Sequence, residues 1–167
     1  MRLLNHSFEY AKELNDYLLN LDVIKEYQKY EDLISNNEEI KALSKYRLEQ
    51  AKENLEEAKA LFNISKFKGA NNRAYYAIFH AIKAILALEQ TDFKKHSSVI
   101  AYFNKNYVST QIFSRDLGRG VNEARFYREK SDYVDFYIVT KEESEKQLKT
   151  AELMIEQAEK YIEGKII

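Results

Sequence analysis

Arg73 and His80 stand seven residues apart in the run Asn71-Asn72-Arg73-Ala74-Tyr75-Tyr76-Ala77-Ile78-Phe79-His80. At about 100° per residue, seven steps make nearly two helical turns, so both side chains leave one face of a helix. A guanidinium holds phosphate oxygens in a fork, and an imidazole exchanges protons near neutral pH. Together they form a minimal set for cleaving RNA. In that chemistry His80 takes the proton of a ribose 2′-hydroxyl or returns one to the leaving 5′-oxygen, while Arg73 stabilises charge on the phosphoryl oxygens. Asn72 and Tyr76 flank the pair and are candidates to orient the phosphate. The same residues also carry a purely structural reading. In it Arg73 pairs with a carboxylate such as Asp132, and His80 packs beneath Tyr133, so that the two fix helix register.

Two further stretches hold candidate binding groups. Lys94-Lys95-His96-Ser97-Ser98 starts a shorter helix, where His96 and the two lysines either receive an anion or are simply solvated. Arg125-Phe126-Tyr127-Arg128-Glu129-Lys130-Ser131-Asp132-Tyr133 interleaves arginine with tyrosine. Arg128, Asp132 and Tyr133 can there grip a neighbouring nucleotide or form a buried polar tie between helices. The three histidines, His6, His80 and His96, are dispersed, and there is no cysteine. Thiolate chemistry and disulfides are excluded, and neither a metal site nor a cofactor is expected. Lys+Arg total 26 against 27 Asp+Glu, a net charge of -1, so any phosphate binding is local rather than the work of a global basic field. No apolar run is long enough for a signal peptide or a membrane span; a cytoplasmic protein is the expectation.

The elements that position these residues are helices, since proline is absent and glycine occurs only four times. Phe8, Ala11, Leu14 and Leu18 recur at helical spacing up to Asn20-Leu21-Asp22. A short second helix follows with Ile24, Tyr27, Glu31 and Ile34 on one side, and Ser35-Asn36-Asn37 is a polar break. Residues 1–43 therefore form a helical appendage, and 44–167 the main domain. From Ser44 the spacing is strict: Ser44, Leu48, Ala51, Leu55, Ala58 and Phe62 make a seam for another helix. After a break at 63–69, a helix over about 70–89 buries Tyr75, Ile78, Phe79, Ile82, Ile85 and Leu86. Its other side carries Arg73, Ala77, His80, Ala84 and Ala87, where small residues admit a second helix or a ligand. Residues 109–139, with Gly118 and Gly120, are the least regular. Thr140-Lys141-Glu142-Glu143 is a capping box that opens a last helix, with the seam Ser144, Leu148, Ala151, Ile155, Ala158 and Ile162. An all-α, up-and-down bundle around the helix of Arg73 and His80 follows.

Tyr46-Arg47-Leu48-Glu49-Gln50-Ala51-Lys52-Glu53-Asn54-Leu55, the block Gly69 to Ala81, Lys95-His96-Ser97 and Arg128 to Tyr133 together resemble the HEPN domain over about 45–165. The asparagine-arginine-x-tyrosine-tyrosine block points to one prokaryotic branch. The resemblance implies a helical bundle, commonly a homodimer, found in toxin–antitoxin pairs, phage defence and RNA processing. Many members are metal-independent ribonucleases with an arginine, four to six residues, then a histidine, which Arg73 and His80 satisfy. In active members a polar residue usually follows the arginine, where this chain has Ala74. Their motif also tends to lie on a later helix, where this chain offers Arg128, Asp132 and Tyr133. Three classes remain open: a toxin-like or defence ribonuclease, a non-catalytic nucleotide- or nucleic-acid-binding member working with a partner such as a minimal nucleotidyltransferase, and a helical adaptor. The N-terminal segments around Ala11-Lys12-Glu13-Leu14, Ile24-Lys25-Glu26-Tyr27 and Asn36-Asn37-Glu38-Glu39-Ile40 resemble the small YlbF-type interaction domains.

Overall fold

The computed structural model describes the backbone of residues 2–166 and the side chains of residues 25, 26, 28, 29, 31, 32 and 35–165. Five α-helices and one π-helical segment are present, with no strand among the described residues. They are α1 (Arg2–Asn63), α2 (Phe67–Ala87), α3 (His96–Phe103), the π segment (Asn104–Val108), α4 (Arg115–Tyr133) and α5 (Lys141–Ile166). The fold is all-α, as expected from the helical spacing and the scarcity of glycine and proline. No helix among the described residues is long and apolar enough to cross a membrane.

The chain divides into two compact units, Met1–Glu39 and Ile40–Ile167. In the first, the breaks expected at Asn20-Leu21-Asp22 and Ser35-Asn36-Asn37 do not occur, and the backbone is helical through both. Asn, Asp and Ser each cost a helix interior at most about 0.7 kcal/mol relative to Ala, and no glycine or proline adds a stronger break. The expected seams of Phe8, Ala11, Leu14 and Leu18, and of Ile24, Tyr27 and Ile34, lie outside the described side chains, as do Ala11-Lys12-Glu13-Leu14, Ile24 and Tyr27 of the YlbF-like pattern.

In the second unit α2 is the central helix. Tyr75, Ile78, Phe79, Ile82, Ile85 and Leu86 are buried as expected, but so are Ala77, Ala84 and Ala87 on the opposite side. At Ala84 what approaches is α1. Ser44 Oγ donates to the Ala84 carbonyl at 2.8 Å, and Arg73 reaches back to Asn54, so the two helices run antiparallel. Lys52 pairs with Glu159 at 2.6 Å and Lys59 with Glu152 at 3.2 Å, which sets α5 antiparallel to α1 as well. The seams of α1 and α5 are buried as expected, from Ser44 to Ala58 and from Ser144 to Ile162, with Phe62 partly buried. Each fully buried isoleucine or leucine contributes about 1.5–3 kcal/mol, so the core rather than the surface ion pairs holds the bundle.

Local chemistry sets the helix ends. At the α1–α2 turn Ser65 has φ 61°, Lys66 N–H donates to the Leu61 carbonyl, and Ser65 N–H donates to the Phe62 carbonyl. The turn is only three residues, and α2 starts at Phe67, earlier than expected. The capping box forms as read: Glu143 N–H donates to Thr140 Oγ1 at 3.1 Å, and Thr140 N–H donates to Glu143 Oε2 at 2.9 Å. The irregular segment expected at 109–139 is instead largely α4, capped by Ser114, whose Oγ accepts from Leu117 N–H at 3.1 Å. Gly118 and Gly120 are helical and serve close packing. A Cβ at 118 would lie 2.7 Å from Val108 Cγ1, and one at 120 would lie 2.8 Å from Thr150 Cγ2.

Gly118→Ala should therefore destabilise the protein by about 1 kcal/mol net, overpacking against a stiff β-branched side chain outweighing the gain in helix propensity. Gly164→Ala, with nothing within 4 Å of its Cβ, should be neutral or stabilising by up to about 1 kcal/mol. Urea unfolding of both variants reads the contrast.

Candidate functional site

Arg73 leaves α2 about 46% exposed and meets α1: its Nε lies 3.0 Å from Glu57 Oε2, and its Nη1 donates to Asn54 Oδ1 at 3.3 Å. Its carboxylate partner is thus Glu57 and not Asp132. Asp132 belongs to Arg128, Oδ2 to Nε 3.1 Å, an i,i+4 pair formed on one face of α4 without spanning two helices. Beside Arg73 a cleft of about 320 Å³ opens, lined by Asn72, Arg73, Arg128 and Asp132 together with Lys68 and Ser131. Four candidates from two separate stretches of sequence therefore share one cavity. Tyr133, the last residue of α4, is 80% exposed and outside its lining, so His80 does not pack beneath it.

His80 lies seven residues on, about 10 Å along the helix axis, and is partly buried. Its ring tilts against Tyr76, centroids 6.5 Å apart, and meets Phe79 edge-on. His96, the first residue of α3, stacks on Phe79 at 4.1 Å, and its Nδ1 sits 3.2 Å from the Tyr75 hydroxyl. Burial pushes that hydroxyl up to about 12, so Tyr75 stays a protonated phenol. Arg128 ties cleft to cluster, its guanidinium 5.8 Å from the centre of the Tyr75 ring.

Both imidazoles are biased towards the neutral form. Burial lowers the His80 pKa first, and the nearby charges of Lys83, Arg47 and His96 lower it further. His96 is lowered by burial, then by Arg128 and Lys83. Arg47 and Lys83 are themselves fastened to Asp92, Nη2 to Oδ2 2.8 Å and Nζ to Oδ1 3.1 Å. Burial pushes the Asp92 carboxyl up, but hydrogen bonds from Lys83, Phe93 N–H and Arg47 outweigh it and hold the group below its ordinary value. The resulting surface carries an exposed guanidinium at one end and a neutral imidazole among cations at the other, which suits phosphate contact and proton transfer. Lys94 and Lys95 are exposed, in keeping with the solvated alternative for that helix start.

The HEPN domain family matches residues 44–161. The chain belongs to the HEPN family. It is 37% identical over 125 residues to "Putative toxin MJ0605" of Methanocaldococcus jannaschii, covering 75% of this chain and 90% of that one. It is 32% identical over 120 residues to "Putative toxin MJ0142" of the same organism, covering 72% and 82%. A Thermotoga maritima protein named UPF0332 is 33% identical over 127 residues, covering 76% and 96%. The crystal structure of TT1696 from Thermus thermophilus matches with a TM-score of 0.60 over 70% of this chain and 96% of its own, at 21% identity, a likeness of fold.

In this HEPN chain Lys68, Ser131, Glu57, Asn54, Arg47 and Asp92 complete the surroundings of the site, and none is singled out by the sequence for that part. Arg73 meets Glu57 from 16 positions away and Arg47 meets Asp92 from 45, separations at which no helical period carries a signal. Among the described residues no three His, Asp or Glu side chains group as a metal site.

The lowered imidazoles make stability fall with acid. A histidine whose folded pKa lies below its ordinary 6.5 contributes stability that is present above pH 6.5 and lost as pH falls through the folded value. The melting temperature should drop between about pH 7.5 and 5, and the double variant His80→Gln/His96→Gln should show a shallower drop. Thermal unfolding followed by circular dichroism across that range checks the sign.

Proposed function

We propose that this HEPN protein is the toxin-type member of a toxin–antitoxin-like pair and that it cleaves RNA at the α2 surface bearing Arg73 and His80. The observation that supports this reading is the pairing, on one helix face, of a half-exposed guanidinium with an imidazole kept neutral by burial and by Lys83 and Arg47. A neutral imidazole accepts the 2′-hydroxyl proton. Attack of that oxygen on phosphorus displaces the 5′-oxygen and leaves a cyclic phosphate, and a second imidazolium protonates the leaving oxygen. Two copies in a homodimer supply base and acid together. Arg73 stabilises the phosphoryl charge and Asn72 beside it orients the phosphate, so no step requires a metal. The names of the relatives support a protein antitoxin as partner, of nucleotidyltransferase type by the family resemblance.

A second reading, RNA or nucleotide binding without turnover, is favoured by one specific observation. Arg73 is already engaged by Glu57 and Asn54, and the cleft it lines does not include His80.

Purified protein incubated with a mixed RNA pool in EDTA separates the two. The catalytic reading expects cleavage that falls by about 10²-fold or more in both His80→Ala and Arg73→Ala while the helical signal is retained. Retention of RNA without products at high protein concentration moves the assignment to the binding reading. Cleavage unaffected by either substitution removes Arg73 and His80 from the account.

A further inference from the structure

The cleft beside Arg73 has a chemical bias that the Arg73–His80 pair does not explain. One wall is the start of α2. Its first turn contains no acidic residue, Lys66 at the cap position supplies no side-chain hydrogen bond, and the first intrahelical bond is made by Ala70 N–H to the Lys66 carbonyl. The N–H groups of Phe67, Lys68 and Gly69 are therefore the orphan donors at the positive end of a 21-residue helix, and Lys68 and Gly69 line the cleft. A helix start alone makes no site. The second observation comes from α4: Ser131 lines the same cleft, is buried to a relative exposure of 6%, and its Oγ has no hydrogen-bond partner. A buried hydroxyl without a partner is a costly arrangement that a ligand oxygen would satisfy. Arg128 Nε is also buried without a hydrogen bond, because its 3.1 Å approach to Asp132 lacks hydrogen-bond geometry.

Charge sets the sign of the ligand. The charged groups lining the cleft are Lys68, Arg73 and Arg128 against the single carboxylate Asp132, while Glu57, which pairs with Arg73, is not part of the lining. Even with both arginines paired, Lys68 and the helix terminus remain in excess. Size and lining set the rest. About 320 Å³ is near the lower end for a ligand cavity, and Leu61 is the one apolar side chain in the lining, with no aromatic ring on which a base could stack.

We infer that this cleft is a binding site for a phosphate monoester, recognised through the α2 N-terminus, Lys68, Arg128 and Ser131 and read without regard to the base. The inference deepens the RNA reading and rests on it for the source of the ligand, since a phosphorylated RNA end seated here would run its chain along α2 towards His80. A free sugar phosphate presents the same chemistry.

Isothermal titration with inorganic phosphate tests the site without cleavage and without His80, so its outcome is separate from that of the ribonuclease assay. One saturable site is expected. Ser131→Ala and Lys68→Ala should each weaken it about tenfold, as loss of one charge-assisted contact does. Lys160→Gln, remote on α5 and paired with Glu156, should leave it unchanged. Lys68 is exposed, so its substitution carries the test if Ser131→Ala does not fold. Tighter binding of a 5′-phosphorylated oligonucleotide than of its hydroxyl-ended twin, equal for different terminal bases, assigns the source to an RNA end. Equal binding of ribose 5-phosphate and the phosphorylated oligonucleotide assigns it to a free phosphate. No binding of phosphate, or equal binding by wild type and Lys68→Ala, overturns the site.

Discussion

Everything in the second unit depends on how closely α1 can approach α2. A helix buried on nearly every side meets its neighbours closely only where side chains are small, and Ala77, Ala84 and Ala87 on α2 are buried, with α1 reaching the backbone at Ala84. The hydrogen bond from Ser44 Oγ to the Ala84 carbonyl fixes the register of the approach. With that register set, Arg47 falls opposite Lys83, and Asn54 and Glu57 fall opposite Arg73. Arg73, His80 and Lys83 are thereby placed at the margins of α2, where guanidinium and imidazole keep some access to solvent while the aliphatic face fills the core.

The electrostatics follow from the same geometry. Burial first, and then the cations near them, lower the pKa of the two histidines, and Asp92 binds two of those cations, Arg47 and Lys83, together. Arg128 extends the positive margin from α4 and connects it to the aromatic cluster by lying over Tyr75. The molecule carries a formal net charge of -1, so this is a local arrangement of charge and not a consequence of composition.

Much of this is legible in the sequence because helical periodicity is a local property. The strict spacing from Ser44 to Phe62 and from Ser144 to Ile162 identifies the buried seams, and the Thr140–Glu143 box marks the start of α5 from its chemistry alone. Glycine is the misleading signal. Gly118 and Gly120 suggest irregular chain because their use in close packing against Val108 and Thr150 depends on partners 10 and 30 residues away. Asparagine misleads in the same direction at Ser35-Asn36-Asn37, where a weak local preference reads as a break and the helix continues through it. At the site, residue types nominate Asn72, Arg73, Arg128 and Asp132, which do share a cleft. Their pairing is not legible in the same way. Arg73 with Asp132 supposes a tertiary contact that the fold does not make, whereas Arg128 with Asp132 is one helical turn.

The most direct test of a neutral, phosphate-responsive imidazole on α2 is an NMR titration of the His80 ring, alone and with a 2′-O-methyl RNA that cannot be cleaved. A pKa below the ordinary 6.5 is expected in the free protein, rising when a phosphodiester sits between His80 and Arg73. A free value at or above 6.5, or a resonance indifferent to RNA, would contradict it.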